Sequence, residues 1–211
     1  KELKDMPLVM ARVDKTRLAR AKSKRAATRE LSNTPTLFGE IRQPDKNYIA
    51  FPAVSSERRE YIPIGYLNKD VIAGNKLFVI PDAKLYHFGI ITSSVHMAWI
   101  RTVAGRLKSD YNYSAGIVYN NFPWPEPTDK QKEDIEKAAQ AVLETRALFP
   151  DSSLAELYDP LTMPPELVKA HNNLDRAVMA AYGMKGMKSE TEIVSLLMER
   201  YQQLVSRNQE E

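Results

Sequence analysis

Cysteine is absent from the 211 residues. Disulfide scaffolds and thiolate metal sites are therefore excluded, and a cysteine-free chain suits the cytoplasm. Histidine is scarce. His87, His96 and His171 are the three present, none at metal-ligand spacing, so no metal site is expected. No run of 18 apolar residues occurs, so no membrane-spanning segment is expected. The opening is charged throughout and is no signal peptide. It also lacks an initiator Met, as a piece cut from a longer protein would. The phosphate-cradling, zinc-protease and serine-hydrolase signatures are all missing. Pro44–Asp45 and Pro81–Asp82 are not followed by the Glu-x-Lys that a nuclease site needs. The segment NNFPWP (120–125) comes near the Asn-Pro-Pro-aromatic motif of amino-methyltransferases, but Phe122 follows Asn121 and the two prolines are not adjacent. We expect no catalytic residue in this chain.

What remains is ordinary globular composition, 43% apolar and 27% charged. The net charge of +3 hides an asymmetry. Residues 1–127 hold 20 Lys/Arg against 12 Asp/Glu, and residues 128–211 hold 10 against 15. A basic front suits a polyanionic partner. Chance drift of composition is the competing explanation.

Hydrophobic period divides the chain into three. Residues 1–32 form a basic helical connector, with a helix predicted over 6–31 and Met6, Val9, Met10, Val13 and Leu18 on its apolar side. Residues 33–127 read as a mostly antiparallel β domain. Its predicted strands are 37–41, 48–54, 61–67, 76–81, 86–92 and 113–122, with one helix inserted over 93–108. Prolines at 52, 63 and 81 argue for strand ends and edges. After PWPEP (123–127) the period becomes helical, and residues 128–211 form an α-helical domain. Thr128 with Gln131, Ser153 with Glu156 and Ser189 with Glu192 are capping boxes. Pro164 and Pro165 open a helix that Gly183 closes. The fold class is α+β.

Three stretches carry a resemblance. FPAVSSERREYIPIGYL (51–67), YHFGIITSSVHMAWIRTVAGRLKSDYNYSAGIVYNNFPWP (86–125) and LYDPLTMPPELVKAHNNLDRAVMAAYG (157–183) resemble the C-terminal part of the MmeI-like type IIL restriction-modification enzymes, a branch of type IIG. The likeness runs from Leu37 to Gly183. It implies a target recognition domain followed by a C-terminal helical domain, in a parent protein that is an S-adenosylmethionine-dependent DNA adenine-N6 methyltransferase and in some members also an endonuclease. The cofactor and the catalytic motifs would lie outside these residues. Double-stranded DNA and the methyltransferase domain of the same polypeptide are the implied partners, with no membrane.

Base edges in the major groove are read by Arg or Lys on guanine, Asp or Glu on cytosine N4, and Asn on adenine. RLKSDYNYS (106–114) supplies such groups together. Lys108, Asp110 and Asn112 alternate, so an extended chain would point all three the same way. The resemblance implies that these positions help set base identity and adds one near the 75–76 turn, Lys76 or its neighbour Asn75. A solvated polar loop is the competing reading. Arg58 and Arg59, beside Ser55 and Ser56, are candidates for phosphate contacts, or for pairs with Glu57 and Glu60. Arg101 and Arg106, on the inserted helix, are further phosphate candidates. A protein-interaction module, with the acidic helices docking other domains or subunits, is the alternative function.

Overall fold

The computed structural model describes residues 2–210. It divides into two compact units, the first ending at Gln43 and the second beginning at Pro44. In the first unit, helix α1 (Pro7–Ala21) starts on a proline whose missing N–H is no loss at a first helical position. The expected continuous helix over 6–31 is broken. α1 stops at Ala21, Arg25 turns extended, and α2 (Ala26–Glu30) begins anew. Ser23 explains the break: its hydroxyl accepts from the Arg25 N–H at 3.2 Å, an alternative to the helical bond. Arg20 donates to the carbonyls of Leu31, Thr34 and Leu37 at 2.8–3.1 Å and so holds the following turn. Residues 37–41, expected as a strand, are irregular, with Leu37, Phe38 and Ile41 exposed. Without a partner strand their β-propensity has nothing to pair with.

The second unit contains two small antiparallel sheets. β1 (Tyr48–Pro52) lies between β3 (Gly65–Leu67) and β4 (Leu77–Pro81). β6 (Asp110–Asn112) lies between β2 (Val54–Ser55) and β5 (Gly105–Leu107). Pro52 and Pro81 sit at strand ends, where a missing donor is tolerated. Ala53 joins the sheets: its N–H donates to the Lys76 carbonyl at 2.9 Å, and its carbonyl accepts from the Tyr113 N–H at 2.8 Å.

Two expected strands are not strands. Residues 86–91 belong to helix α3 (Leu85–Ile91), and Thr92 caps its end. Phe88, Gly89, Ile90 and Ile91 are all buried, so no face is left polar to reveal a helical period, and a short apolar run cannot distinguish the two states. Gly89 is where α3 meets α5 (Asp129–Ala147). A Cβ there would lie 2.7 Å from Ile135 Cγ2 and 3.3 Å from Ala139 Cβ. The inserted helix is thus a pair, α3 and α4 (Ser94–Val103), and α4 ends before β5 rather than at 108. Residues 115–119, expected within a strand, make one π-helical turn, entered through Ser114, whose hydroxyl accepts from the Ile117 N–H.

The C-terminal helices follow the caps. α5 opens on the Thr128–Gln131 box and α6 (Leu154–Leu157) on the Ser153–Glu156 box. α7 (Pro165–Ala181) ends at Gly183, whose φ of 78° permits the paired bonds Gly183 N–H to Ala180 O and Met184 N–H to Met179 O. α8 (Glu190–Glu210) opens where Ser189 and Glu192 exchange side-chain-to-backbone bonds. One buried cluster runs from Ile49 and Phe51 through Phe88 and Trp99 to Ile135, Leu174 and Leu197. The sheets and the C-terminal helices therefore share a core across residues 127 and 128.

Candidate nucleic-acid interface

β5 and β6 form a hairpin with the register Gly105–Asn112, Arg106–Tyr111 and Leu107–Asp110. Lys108 and Ser109 are its two-residue turn. Lys108 has a φ of 57°, and Ser109 does not share the positive sign. A positive φ at the first turn residue alone is the pattern of type II′ hairpins, which usually place Gly there. Lys108 is therefore not in extended alternation with its neighbours, as the sequence pattern had predicted. It projects from the turn itself. Asp110 and Asn112 do share one face of β6, since Tyr111 between them is buried.

The hairpin is anchored at several points. Glu57 N–H donates to Asp110 Oδ1 at 3.4 Å, so the turn after β2 meets the start of β6. Val54 pairs with Asn112. Backbone hydrogen bonds through Ala53 connect the exposed Lys76 to the sheet whose central strand carries Asp110 and Asn112, with Lys108 in the hairpin turn.

The phosphate candidates separate. Arg58 is exposed, and its N–H donates to the Ser56 hydroxyl. Arg59 reaches the Ala155 carbonyl at 3.5 Å. Among the described residues no ion pair joins either arginine to Glu57 or Glu60. Ser55 is buried, with its hydroxyl unpartnered inside the fold. Arg101 forms an ion pair with Glu190 at 2.8 Å and also donates to the Glu60 carbonyl. Arg106 is on β5, not on the helix. Paired with Tyr111, it lies on the hairpin face opposite Asp110 and Asn112, and its guanidinium sits 4.1 Å over the Tyr111 ring.

A second set of polar residues went unread in the sequence. Asp175 and His171 lie within the apolar stripe of α7 and are buried. Asp175 accepts from the Tyr61 hydroxyl and the Ser94 N–H, both at 2.8 Å. Burial pushes its carboxyl up to about 6, although those two hydrogen bonds oppose the rise. The same burial pushes His96 and His171 down to about 3, so both are neutral. His96 and His87 have structural roles: His96 meets the Tyr113 hydroxyl at 3.0 Å, and His87 Nδ1 accepts from the Lys84 N–H. The sequence signal for the buried cluster was the presence of His and Asp at core positions of an otherwise apolar stripe.

Family models match along the chain. The MmeI target recognition domain matches residues 1–126, and the MmeI C-terminal domain matches residues 127–208. The chain belongs to the MmeI family. It is similar to the type IIL restriction-modification enzyme MmeI solved in complex with DNA, with a TM-score of 0.91 and 47% identity, over 97% of this chain and 27% of that one. It is also 42% identical to DNA methyltransferase A of Bacillus subtilis (strain 168), over 98% of this chain and 23% of that protein. The chain spans about a quarter of the length of these relatives. The two MmeI models adjoin at 126/127, within the second compact unit.

A methyltransferase relationship implies S-adenosylmethionine in the parent protein, and two clefts among the described residues bear on whether it could sit here. The apolar cleft, about 240 Å³, is lined by Phe51, Phe78, Tyr113 and Tyr119 and offers no carboxylate for a ribose or an ammonium group. The polar cleft, about 300 Å³, borders Glu60, Asp175 and Glu190, of which Asp175 and Glu190 are already bonded to Tyr61, Ser94 and Arg101. No residue here is assigned to the cofactor. Among the described residues no group of three or more His, Asp or Glu could hold a metal, and no helix is long and apolar enough to cross a membrane.

Proposed function

We propose that this chain is the module that reads duplex DNA sequence for a restriction-modification methyltransferase. The observation that carries the reading is the β5–β6 hairpin. It presents a cation, a carboxylate and an amide (Lys108, Asp110 and Asn112) on a short, well-anchored projection, with a fourth polar group, Lys76, connected to its sheet through Ala53. These are the chemical types that discriminate base edges in a major groove, which is wide enough for a two-stranded ribbon. Arg58, exposed on the turn that touches Asp110, is the foremost phosphate contact, with Arg59 beside it. Phosphate contacts set register, and base contacts set sequence.

In the parent polypeptide the module would orient an adenine for methylation at N6. That base must leave the stack to reach a catalytic site in the methyltransferase part of the same polypeptide, where S-adenosylmethionine would bind. This chain itself carries no catalytic step, and the cytoplasm, where DNA is accessible, is the proposed setting. Support comes from family membership and from the DNA-bound relative.

The test is duplex binding at several salt concentrations. Affinity should fall linearly on a log–log scale as phosphate-bound counterions are released. Replacing Arg58 and Arg59 together with Ala should weaken binding to all sequences alike and lower the slope by about one to two. Binding indifferent to salt, or no duplex binding at low salt, would overturn the proposal.

A further inference from the structure

The buried polar cluster links all three stretches that carry the family resemblance. Asp175, on α7, is 1% exposed. One carboxylate oxygen takes the Tyr61 hydroxyl and the other takes the Ser94 N–H. One turn earlier on α7, the His171 ring stacks on Tyr61 with centroids 4.0 Å apart. Its Nε2 lies 2.7 Å from the Tyr158 hydroxyl, which also accepts from Arg146. Arg146 in turn donates to the Ile64 carbonyl at 2.6 Å. The segment 61–64 is thus held at both ends by groups from the C-terminal helices.

Packing alone does not call for such residues. Burying a carboxylate costs several kcal/mol before any partner is found, and apolar side chains of similar volume often fill such space equally well. What a carboxylate with two donors supplies is direction, because each hydrogen bond fixes the position of its donor. The two donors here are informative. Tyr61 follows by two residues the turn, closed by the Arg59 N–H to the Ser56 carbonyl, that carries Arg58 and Glu57, whose N–H meets Asp110. Ser94 is the first residue of α4, which runs ten residues and passes through Ala104 directly into β5. One strand of the hairpin is therefore held through Tyr61 and the other through Ser94, and both supports end on a single carboxylate.

We propose that Asp175 is the positioning residue of the base-reading hairpin. From α7 it fixes both the turn that receives Asp110 and the helix that delivers β5. The proposal rests on the hairpin being the reading element. It gives the C-terminal helices a part in sequence choice although they carry none of the reading groups.

The test uses the full 211-residue chain and a pool of duplexes of randomised sequence. Enrichment is read by sequencing, and affinity for one unselected duplex is measured alongside. Tyr61→Phe and Asp175→Ala should each lower enrichment about tenfold, because the reading groups lose their fixed geometry. Affinity for the unselected duplex should stay within about twofold, since exposed arginines supply it. Asp175→Asn is isosteric, still accepts from the Ser94 N–H, and can donate to the Tyr61 oxygen, so it should recover most of the enrichment. If Tyr61→Phe and Asp175→Ala keep the parent's enrichment, whatever their melting temperatures, Asp175 is a stabilising residue only and the proposal fails. If replacing Asp110 and Asn112 with Ala abolishes enrichment while Asp175→Ala does not, the reading function stands and this inference falls. If the parent chain enriches no sequence, both are overturned. Should Asp175→Ala fail to fold, Tyr61→Phe decides the matter, since it deletes a single oxygen.

Discussion

The two sheets of the second unit have the same number of strands and opposite characters. In the sheet centred on β1, Tyr48, Ile49, Ala50 and Phe51 are buried in succession, on both faces. In the sheet centred on β6, Tyr111 is buried while Asn112, Leu107 and Lys108 face solvent. The first sheet is held by the core it helps to form. The second is held by the single buried ring of Tyr111 and a few tethers: Ala53, the Glu57–Asp110 bond, and helix α4, which leads into β5. A scaffold and a reading edge have been separated, so side chains at the edge can vary without repacking the interior.

That separation can be broken most severely at Phe51. Its ring stacks on Phe78 and meets Tyr113 edge-on, with centroids 5.7 and 4.8 Å apart. Phe51→Ala should cost about 3–5 kcal/mol through lost burial and a cavity. Leu107→Ala, on the exposed hairpin, should change stability by less than about 0.5 kcal/mol. Urea unfolding of both variants checks the contrast. Equal losses would mean that the hairpin belongs to the core.

Acid should act on the scaffold in the same selective way. His96 and His171 are neutral in the fold and titrate near 3 there, against 6.5 in the unfolded chain. Below 6.5 the unfolded state takes up protons that the native state refuses, so stability falls with falling pH. Each histidine contributes about 2 kcal/mol of that loss by pH 5. Asp175 works the other way. Its folded value of about 6 lies above 3.8, so its cost is fully present above 6 and is relieved on acidification, by about 1 kcal/mol between pH 7 and 5. The net loss from these three groups between pH 7 and 5 should be about 2–3 kcal/mol, rising to about 4 in Asp175→Asn. His87, whose imidazole is also pushed down by burial, adds to the loss in both proteins. Urea midpoints at the two pH values measure it, and a smaller loss in Asp175→Asn would contradict the sign.

The helical half was legible because its signals are local. Thr128, Ser153 and Ser189 each sit three residues before a Glu or Gln, and the caps form where those residues stand. α3 was not legible, because Gly89 and its apolar neighbours are buried all round and only α5 packing against them decides their state. Asp110 and Asn112 were legible as a shared face because alternation is a local property of strands. Lys108 was not, since its backbone conformation is set by the closing of the hairpin. Ser55 and Arg101 looked like phosphate ligands by type, but burial and the Glu190 partner come from distant sequence. For the same reason, nothing near Tyr61 announces Asp175.

Sequence choice offers a finer test of the separation. Lys108 and Asp110 could serve the two halves of one G·C pair, the ammonium on guanine O6 or N7 and the carboxylate on cytosine N4. Lys108→Glu combined with Asp110→Arg should invert the preference from G to C at one position. The discrimination involved is about 1–3 kcal/mol, and base preferences at the other positions should be unchanged even though Asp110→Arg gives up the bond from the Glu57 N–H. Single replacements should mainly lose binding by leaving an unmatched charge. Sequencing the duplexes selected by the double variant decides it. Selection of the parent's sequences would show that these residues are not the readers.

The smallest expected effect lies at Lys108 itself and points in two directions. A lysine held at a φ of 57° occupies a region that L-residues enter at a cost, and a type II′ turn prefers Gly at this place. Lys108→Gly should therefore stabilise the chain by about 0.5–1 kcal/mol less whatever flexibility Gly adds to the unfolded state, a net gain of at most a few tenths. It should also remove the cation at the hairpin tip and weaken the preference for guanine. Lys108→Asn separates the two effects, because Asn tolerates a positive φ without glycine's freedom and carries no charge. If both variants are at least as stable as the parent yet discriminate less between duplexes, the lysine is retained for contact at the expense of backbone comfort. If either variant is clearly destabilised, by more than about 0.5 kcal/mol, the lysine side chain contributes to the hairpin's own stability, and the division between scaffold and reading edge does not extend to the turn.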